Sequence, residues 1–376
     1  MSSPRTPTVS RRRLLKILGL GASAGLLAAA TAPVAAAPLV AAAAPVAPRL
    51  SGPAVVVRQG ISLPAPEKKS LTMAHSTLET SQLAYVMARD LGFYTKYGIE
   101  DFNLVLAEGD GKTIQAIVAG GADLGANGIS GTISSQATDV PLQTIVMTAT
   151  TLTDDLVTSS DVRTPDDMRG KSIAISTFGS TAHASAVLCL QSIGLTQDDV
   201  TLVQVGGQAT RIAALKGGSV QGAVVDIALE SDMKAQGFNI LTRLPDYPLE
   251  FGRNGANVRK EWLTESPNTV LALTAAILEG QNAIWTQPDA AIQAYMNWAQ
   301  LTDRARAASD IEAFKQYGNR DMRWTKEGWV LARDILAVTN ADIANIDVEQ
   351  AYTFNFLNQL ESMGFQQALG IPRTHS

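Results

Sequence analysis

The chain has 376 residues, 46% hydrophobic and 17% charged, which is too long for one ordinary core and lacks the bias of a disordered or coiled-coil chain. A single cysteine, Cys189, excludes an intrachain disulfide and a Cys-rich zinc or iron–sulfur site. The net charge of −5 hides an asymmetry, because every acidic residue lies at or after Glu67, so residues 51 onward carry 24 basic against 35 acidic side chains, a poor surface for nucleic acid.

The stretch "SRRRLLKILGLGASAGLLAAATA", from Ser10, places a basic cluster before an apolar Gly/Ala-rich run. No charge occurs from Ile17 to Ala47, and A-x-A spacings follow at Ala30–Ala32 and Ala42–Ala44. This is the order of an export signal, and Arg11 to Lys16 resemble its twin-arginine form. The run is long enough to serve instead as a membrane anchor, but its Ala and Gly content and Pro33, Pro38 and Pro45 favour a cleaved signal. No cysteine near the cleavage region supports a lipid anchor. Residues 1–47 are assigned to the signal and 48–69 to a linker.

Leu71 to Ala74 reads as a strand, Thr80 to Leu91 as a helix, and Phe102 to Leu106 as a second strand. Gly109 to Gly111 turns into a helix that ends at Gly120-Gly121, and Ala122 to Ala126 is a third strand. The order then repeats. Ser172 to Ser176 is a strand, Thr181 to Ile193 a helix, and Val200 to Val205 a strand. A helix between Gly206-Gly207 and Gly217-Gly218 and a strand at Val220 to Val225 complete the unit. The phrases "GGADLGA" (Gly120) and "GGSVQGA" (Gly217) mark corresponding points of the two units. Alternating strands and helices predict parallel pairing with right-handed crossovers. Two such lobes would face each other across a cleft beyond the carboxyl ends of their strands.

These phrases carry a resemblance. "ARDLGFYTKYGIEDFNLVLAEGDGKTIQAIVAGGADLGANG", "TPDDMRGKSIAIS" and "RIAALKGGSVQGAVVD" resemble, in order, the solute-binding proteins of bacterial ABC importers for nitrate, sulfonates, taurine and thiamine precursors. The resemblance runs from about residue 70 to the C-terminus and is weakest after about 260. It implies an α/β type II periplasmic binding protein fold, two lobes with a ligand cleft between them, each lobe a mainly parallel sheet flanked by helices. Lobe 1 would comprise 70–155 and the returning segment 250–376 with its helical tail, and lobe 2 would comprise 160–242. It further implies a small-molecule ligand, an ABC permease in the membrane as partner, a monomer, an extracytoplasmic or periplasmic location, and neither cofactor nor metal.

Four loops follow strands and are expected to face the cleft. His75, Ser76 and Thr77 open the first helix, where free N–H groups favour an anion. Thr177, Phe178, Gly179, Ser180 and Thr181 offer hydroxyls, a close backbone approach and a stacking face. Asn127 and Ser130 follow the first lobe's Gly-Ala strand, and Asp226 follows the sister strand. Arg253 could clamp a sulfonate or carboxylate. Each also has an ordinary role as a cap, a backbone partner or a solvated charge. His75 and His183 lie on loops of opposite lobes, but two imidazoles without a carboxylate set do not define a metal site. Glu108, Asp110 and Asp226 favour a positive group, whereas Arg253 and the helix starts favour an anion.

"AEGDGKT" lacks the spacing of a phosphate loop, and H-E-x-x-H is absent. A thiamine-pyrimidine synthase of related fold depends on a Cys-rich iron motif that this chain lacks. The expectation is therefore a receptor and not an enzyme. An exported enzyme on the same fold, or a sensor that docks on a membrane receptor, are the alternatives.

Overall fold

The structure, a computed structural model, describes residues 61–373 except 248 and 339. The twin-arginine segment and most of the linker lie outside the described residues. Among the described residues no helix is long and apolar enough to cross a membrane.

The chain folds into two lobes, each around a five-stranded sheet flanked by helices. Lobe 1 contains β1 (Ser70–His75), β2 (Asp101–Leu106), β3 (Leu124–Asn127) and β4 (Leu142–Thr151). Lobe 2 contains β5 (Asp154–Thr158), β6 (Ser172–Ile175), β7 (Thr201–Gln204), β8 (Gly222–Asp226) and β9 (Asn239–Arg243). The last strand, β10 (Glu250–Arg259), returns to lobe 1. The strand orders, β2-β1-β3-β10-β4 and β7-β6-β8-β5-β9, describe one topology built twice.

β1, β2 and β3 pair in parallel in lobe 1, as do β6, β7 and β8 in lobe 2, but β10 and β5 are antiparallel to both of their neighbours. The sheets are therefore mixed. The reason is the crossing. A strand that arrives directly from the other lobe enters its sheet from the cleft side, so it must run opposite to the strands whose carboxyl ends point there. Only Leu152 and Thr153 separate β4 from β5, so the first crossing is short.

Helix starts follow local chemistry. Thr164 and Asp167 form a capping box before the short helix Pro165–Met168. Pro267 and Pro288 open the helices Pro267–Thr286 and Pro288–Ala299, where the missing N–H is harmless. The C-terminal helices pack on lobe 1. Helix Pro267–Thr286 crosses helix Leu83–Asp90 at Gly280, where a Cβ would fall 2.3 Å from the Ala84 carbonyl oxygen. Trp262, Trp324 and Trp329 are buried in this core, and Trp285 and Trp298 are half-buried against it.

Asp155, on β5, is fully buried. Neither carboxylate oxygen accepts a hydrogen bond, and Arg243 Nε stands 3.8 Å away. Burial, reinforced by Glu230, pushes its carboxyl up to about 8, against the partial pull of Arg243. A folded-state value above the unfolded one stabilises at low pH, and that stability is lost as pH rises through about 8. Asp155→Asn is therefore expected to stabilise the protein at pH 8.5 more than at pH 5. The difference should be on the order of 1 kcal/mol or more, about 2–4 °C for each kcal/mol. Thermal unfolding at the two pH values checks it, and an equal effect at both contradicts it.

Candidate ligand-binding cleft

The cleft lies where strand ends of both lobes meet. Arg253 stands on β10, at a break in the pairing with β4 between Glu250 and Asn254. It is only 6% exposed. Its Nη1 donates to Asp154 Oδ2 at 2.8 Å, and its Nη2 to Asp226 Oδ2 at 2.6 Å and Glu79 Oε2 at 2.5 Å. Glu79 belongs to lobe 1, Asp154 and Asp226 to lobe 2, so one guanidinium ties the lobes together.

Neighbouring hydroxyls complete the cluster. Thr153 Oγ1 donates to Asp226 Oδ2 at 2.7 Å, and Ser185 Oγ to Asp154 Oδ2 at 2.6 Å. Burial alone would lower the Arg253 guanidinium, but Asp154, Glu79 and Asp226 together raise it, so it stays charged. Burial pushes the Asp226 carboxyl up to about 7. Arg253 pulls it down while Glu79 and Asp154 push it further up. Three carboxylates around one guanidinium cannot all be neutralised by it.

A second bridge spans the cleft. Asp110 opens the lobe 1 helix Asp110–Val118, and its Oδ2 accepts from Thr181 N at 2.9 Å and Thr181 Oγ1 at 2.8 Å. Thr181 begins the lobe 2 helix Thr181–Ser192, so a lobe 1 carboxylate sits on a lobe 2 helix N-terminus. These contacts hold the lobes closed.

Between the bridges lies a cavity of about 60 Å³, lined among others by Ser76, Ser81, Gly109, Gln208, Arg211 and Asn254. Arg211 is buried, donating Nε–H to the Val224 carbonyl at 2.9 Å and Nη1–H to that of Gly206 at 3.4 Å. Ser81 Oγ is buried without a hydrogen-bond partner. A second cavity of about 130 Å³ adjoins it, sharing Glu79 and Gln208 and bounded also by Asp226, Tyr295, Arg306 and Asp310.

The structure brings Ser76, Thr77, Thr181 and Arg253 to the first cavity and Asp226 to the second. It leaves the other expected residues off both walls. Asn127 is buried inside lobe 1, where Asn257 Nδ2 donates to it at 3.1 Å, and Ser130 Oγ is buried without a partner. Thr177 and Ser180 serve their own loop. The Ser180 hydroxyl donates to the Thr177 carbonyl at 2.7 Å and accepts from His183 N at 3.2 Å as the helix cap. Gly179 N donates to His183 Nδ1, which makes Nε2 the protonated nitrogen, donating to Gln197 Oε1 at 2.9 Å. Phe178 is exposed and stands edge-on to the His183 ring.

His75 is buried beneath the cleft. Its Nδ1 lies 3.0 Å from the Thr77 carbonyl, and its ring packs on Trp298. Burial lowers its value to about 4, so it is neutral at physiological pH. Glu79, Asp154 and Arg211 escaped the sequence reading as site residues. The available signals were an Asp-Asp pair at a strand start and an arginine in an apolar helix. Neither marks a cleft until the lobes are packed.

No curated protein sequence matches the chain. Solved structures share the fold. A protein from Bordetella bronchiseptica RB50 is 21% identical with a TM-score of 0.69, over 80% of this chain and 99% of that one. The nitrate-binding protein of Synechocystis PCC 6803 is 15% identical at 0.66, over 82% and 92%. The alkanesulfonate-binding protein of Xanthomonas axonopodis pv. citri, bound to MOPS, is 16% identical at 0.63, over 78% and 99%. The sequence profile of the family described as NMT1/THI5-like matches residues 79–314, which hold β2 to β9, all of β10 and most of the cleft. With that profile covering well over half its length, this chain belongs to the NMT1/THI5-like family.

Proposed function

We propose that the protein is an extracytoplasmic solute-binding receptor that captures a small polar molecule between its lobes and delivers it to an ABC importer. The observation that carries this reading is a polar cavity closed by residues of both lobes, between which the chain crosses from β4 to β5 and from β9 to β10. Contacts made from both walls are what a ligand needs to shift an open–closed equilibrium. The periplasmic nitrate-binding protein and the alkanesulfonate-binding protein of this fold named above support the reading by analogy. So does the export-like N-terminal sequence.

A thermal-shift screen of the chain from about residue 50 tests it, with taurine, alkanesulfonates, nitrate, amines, aromatic carboxylates, thiamine and pyrimidine precursors. A specific ligand at a hundred-fold excess over Kd stabilises by about 2.7 kcal/mol, roughly 5–10 °C. A hit recovered unchanged after incubation is the expected result. A hit that is consumed would replace the receptor with an enzyme.

A further inference from the structure

The neighbours' named ligands, nitrate and alkanesulfonate, are anions, yet this cleft has filled its anion-binding devices from within. Asp110 already occupies the N-terminus of helix Thr181–Ser192. The Arg253 guanidinium is held by three carboxylates, and Arg211 donates to backbone carbonyls. Across both cavities the walls carry Glu79, Asp110, Asp154, Asp226 and Asp310 against Arg211, Arg253 and Arg306. Arg306 is itself held by Asp232 at 2.6 Å. The excess is negative and buried, a state that proteins relieve by binding a proton or a cation.

A second observation points to a missing ligand rather than a structural knot. Ser81 Oγ lies on the wall of the first cavity, buried and without a hydrogen-bond partner, beside the Arg253 cluster. The adjoining cavity is lined by Leu78, Leu229, Tyr295, Ala299 and Leu301, apolar surface alongside Glu79 and Asp226. Among the described residues no three His, Cys, Asp or Glu side chains are arranged to hold a metal ion.

We propose that the cleft is selective for an organic cation, a protonated amine or guanidine whose head meets Glu79, the carboxylate shared by the two cavities, and whose apolar body enters the chamber of Leu229 and Tyr295. This rests on the receptor reading and specifies its ligand class. An anion entering the same place would meet the Glu79 carboxylate directly, and the helix N-terminus at Thr181 in the first cavity is already taken by Asp110.

Isothermal titration in phosphate buffer tests it with methylamine, butylamine and agmatine, against methanesulfonate, butanesulfonate and nitrate. Tris is avoided, being itself an ammonium. Butylamine and agmatine are expected to bind and the three anions not to. Affinity should rise from methylamine to butylamine by roughly four-fold per methylene buried. Glu79→Gln should weaken amine binding at least ten-fold. If that variant does not fold, Asp226→Asn serves in its place. Binding of a sulfonate or nitrate in preference to the amines would overturn the cation proposal and leave the receptor standing. Failure of every amine to bind, or unchanged amine affinity in the folded variant, would overturn it as well. Failure of the broad screen as a whole is the separate outcome that removes the receptor.

Discussion

Arg253→Met is expected to lower the melting temperature by about 10 °C or more near neutral pH. The substitution keeps a long side chain but removes the one positive charge shared by Glu79, Asp154 and Asp226. Breaking a buried ion pair by deleting one partner costs about 3–5 kcal/mol, because the remaining charge stays buried, and each kcal/mol is worth roughly 2–4 °C in a protein of this size. The sign of the pH dependence follows. Without the guanidinium, burial and the neighbouring carboxylates push the Asp226 carboxyl further above its unfolded value. Such a group contributes stability at low pH that is lost as pH rises through the raised folded value. The deficit should therefore be smaller at pH 5 than at pH 8. Thermal unfolding of both proteins at the two pH values measures it. A deficit that is equal at both, or under about 1 kcal/mol, would show that the cluster does not carry the charge assigned to it.

Gly128→Ala is expected to block closure without unfolding either lobe. Gly128 has φ −70°, so alanine adopts its backbone without strain. The main obstacle is Thr181 of the other lobe. An added Cβ would lie 1.7 Å from Thr181 Oγ1, and 3.0 Å from the Arg253 carbonyl oxygen of its own lobe. Thr181 is also the residue that Asp110 holds across the cleft. Relief requires the lobes to part. Solution scattering should show a larger radius of gyration than the parent, and a ligand that needs both walls should bind at least ten-fold more weakly. Thr181→Gly in the same chain removes the opposing atoms and should restore part of the closure. An unchanged radius together with unchanged affinity would mean that the contact yields locally.

The N-terminal halves of both lobes were legible in the sequence because their signals are local. The helix read over Thr181 to Ile193 spans Thr181–Ser192, and the strand read over Phe102 to Leu106 is Asp101–Leu106. Glycine turns, a serine cap and runs of apolar residues act within a few residues of themselves, so they survive without tertiary context. The antiparallel strands β5 and β10 were not legible, since their direction depends on which lobe the chain has just left.

The cleft depended still more on the tertiary structure. Arg253 meets partners 27, 99 and 174 residues away in sequence, and Asp110 meets Thr181 across 71. No periodicity encodes contacts at that separation. The histidines show the converse. Each follows a strand, so each was placed beside the cleft, yet packing buries both rings with His75 Nδ1 and both His183 nitrogens already in hydrogen-bonding contact. The sequence by itself determined that there would be two α/β lobes and loops at their strand ends. Only the packing of one lobe against the other decided which of those loop side chains face a cavity, which cap their own helices, and what charge the cavity carries.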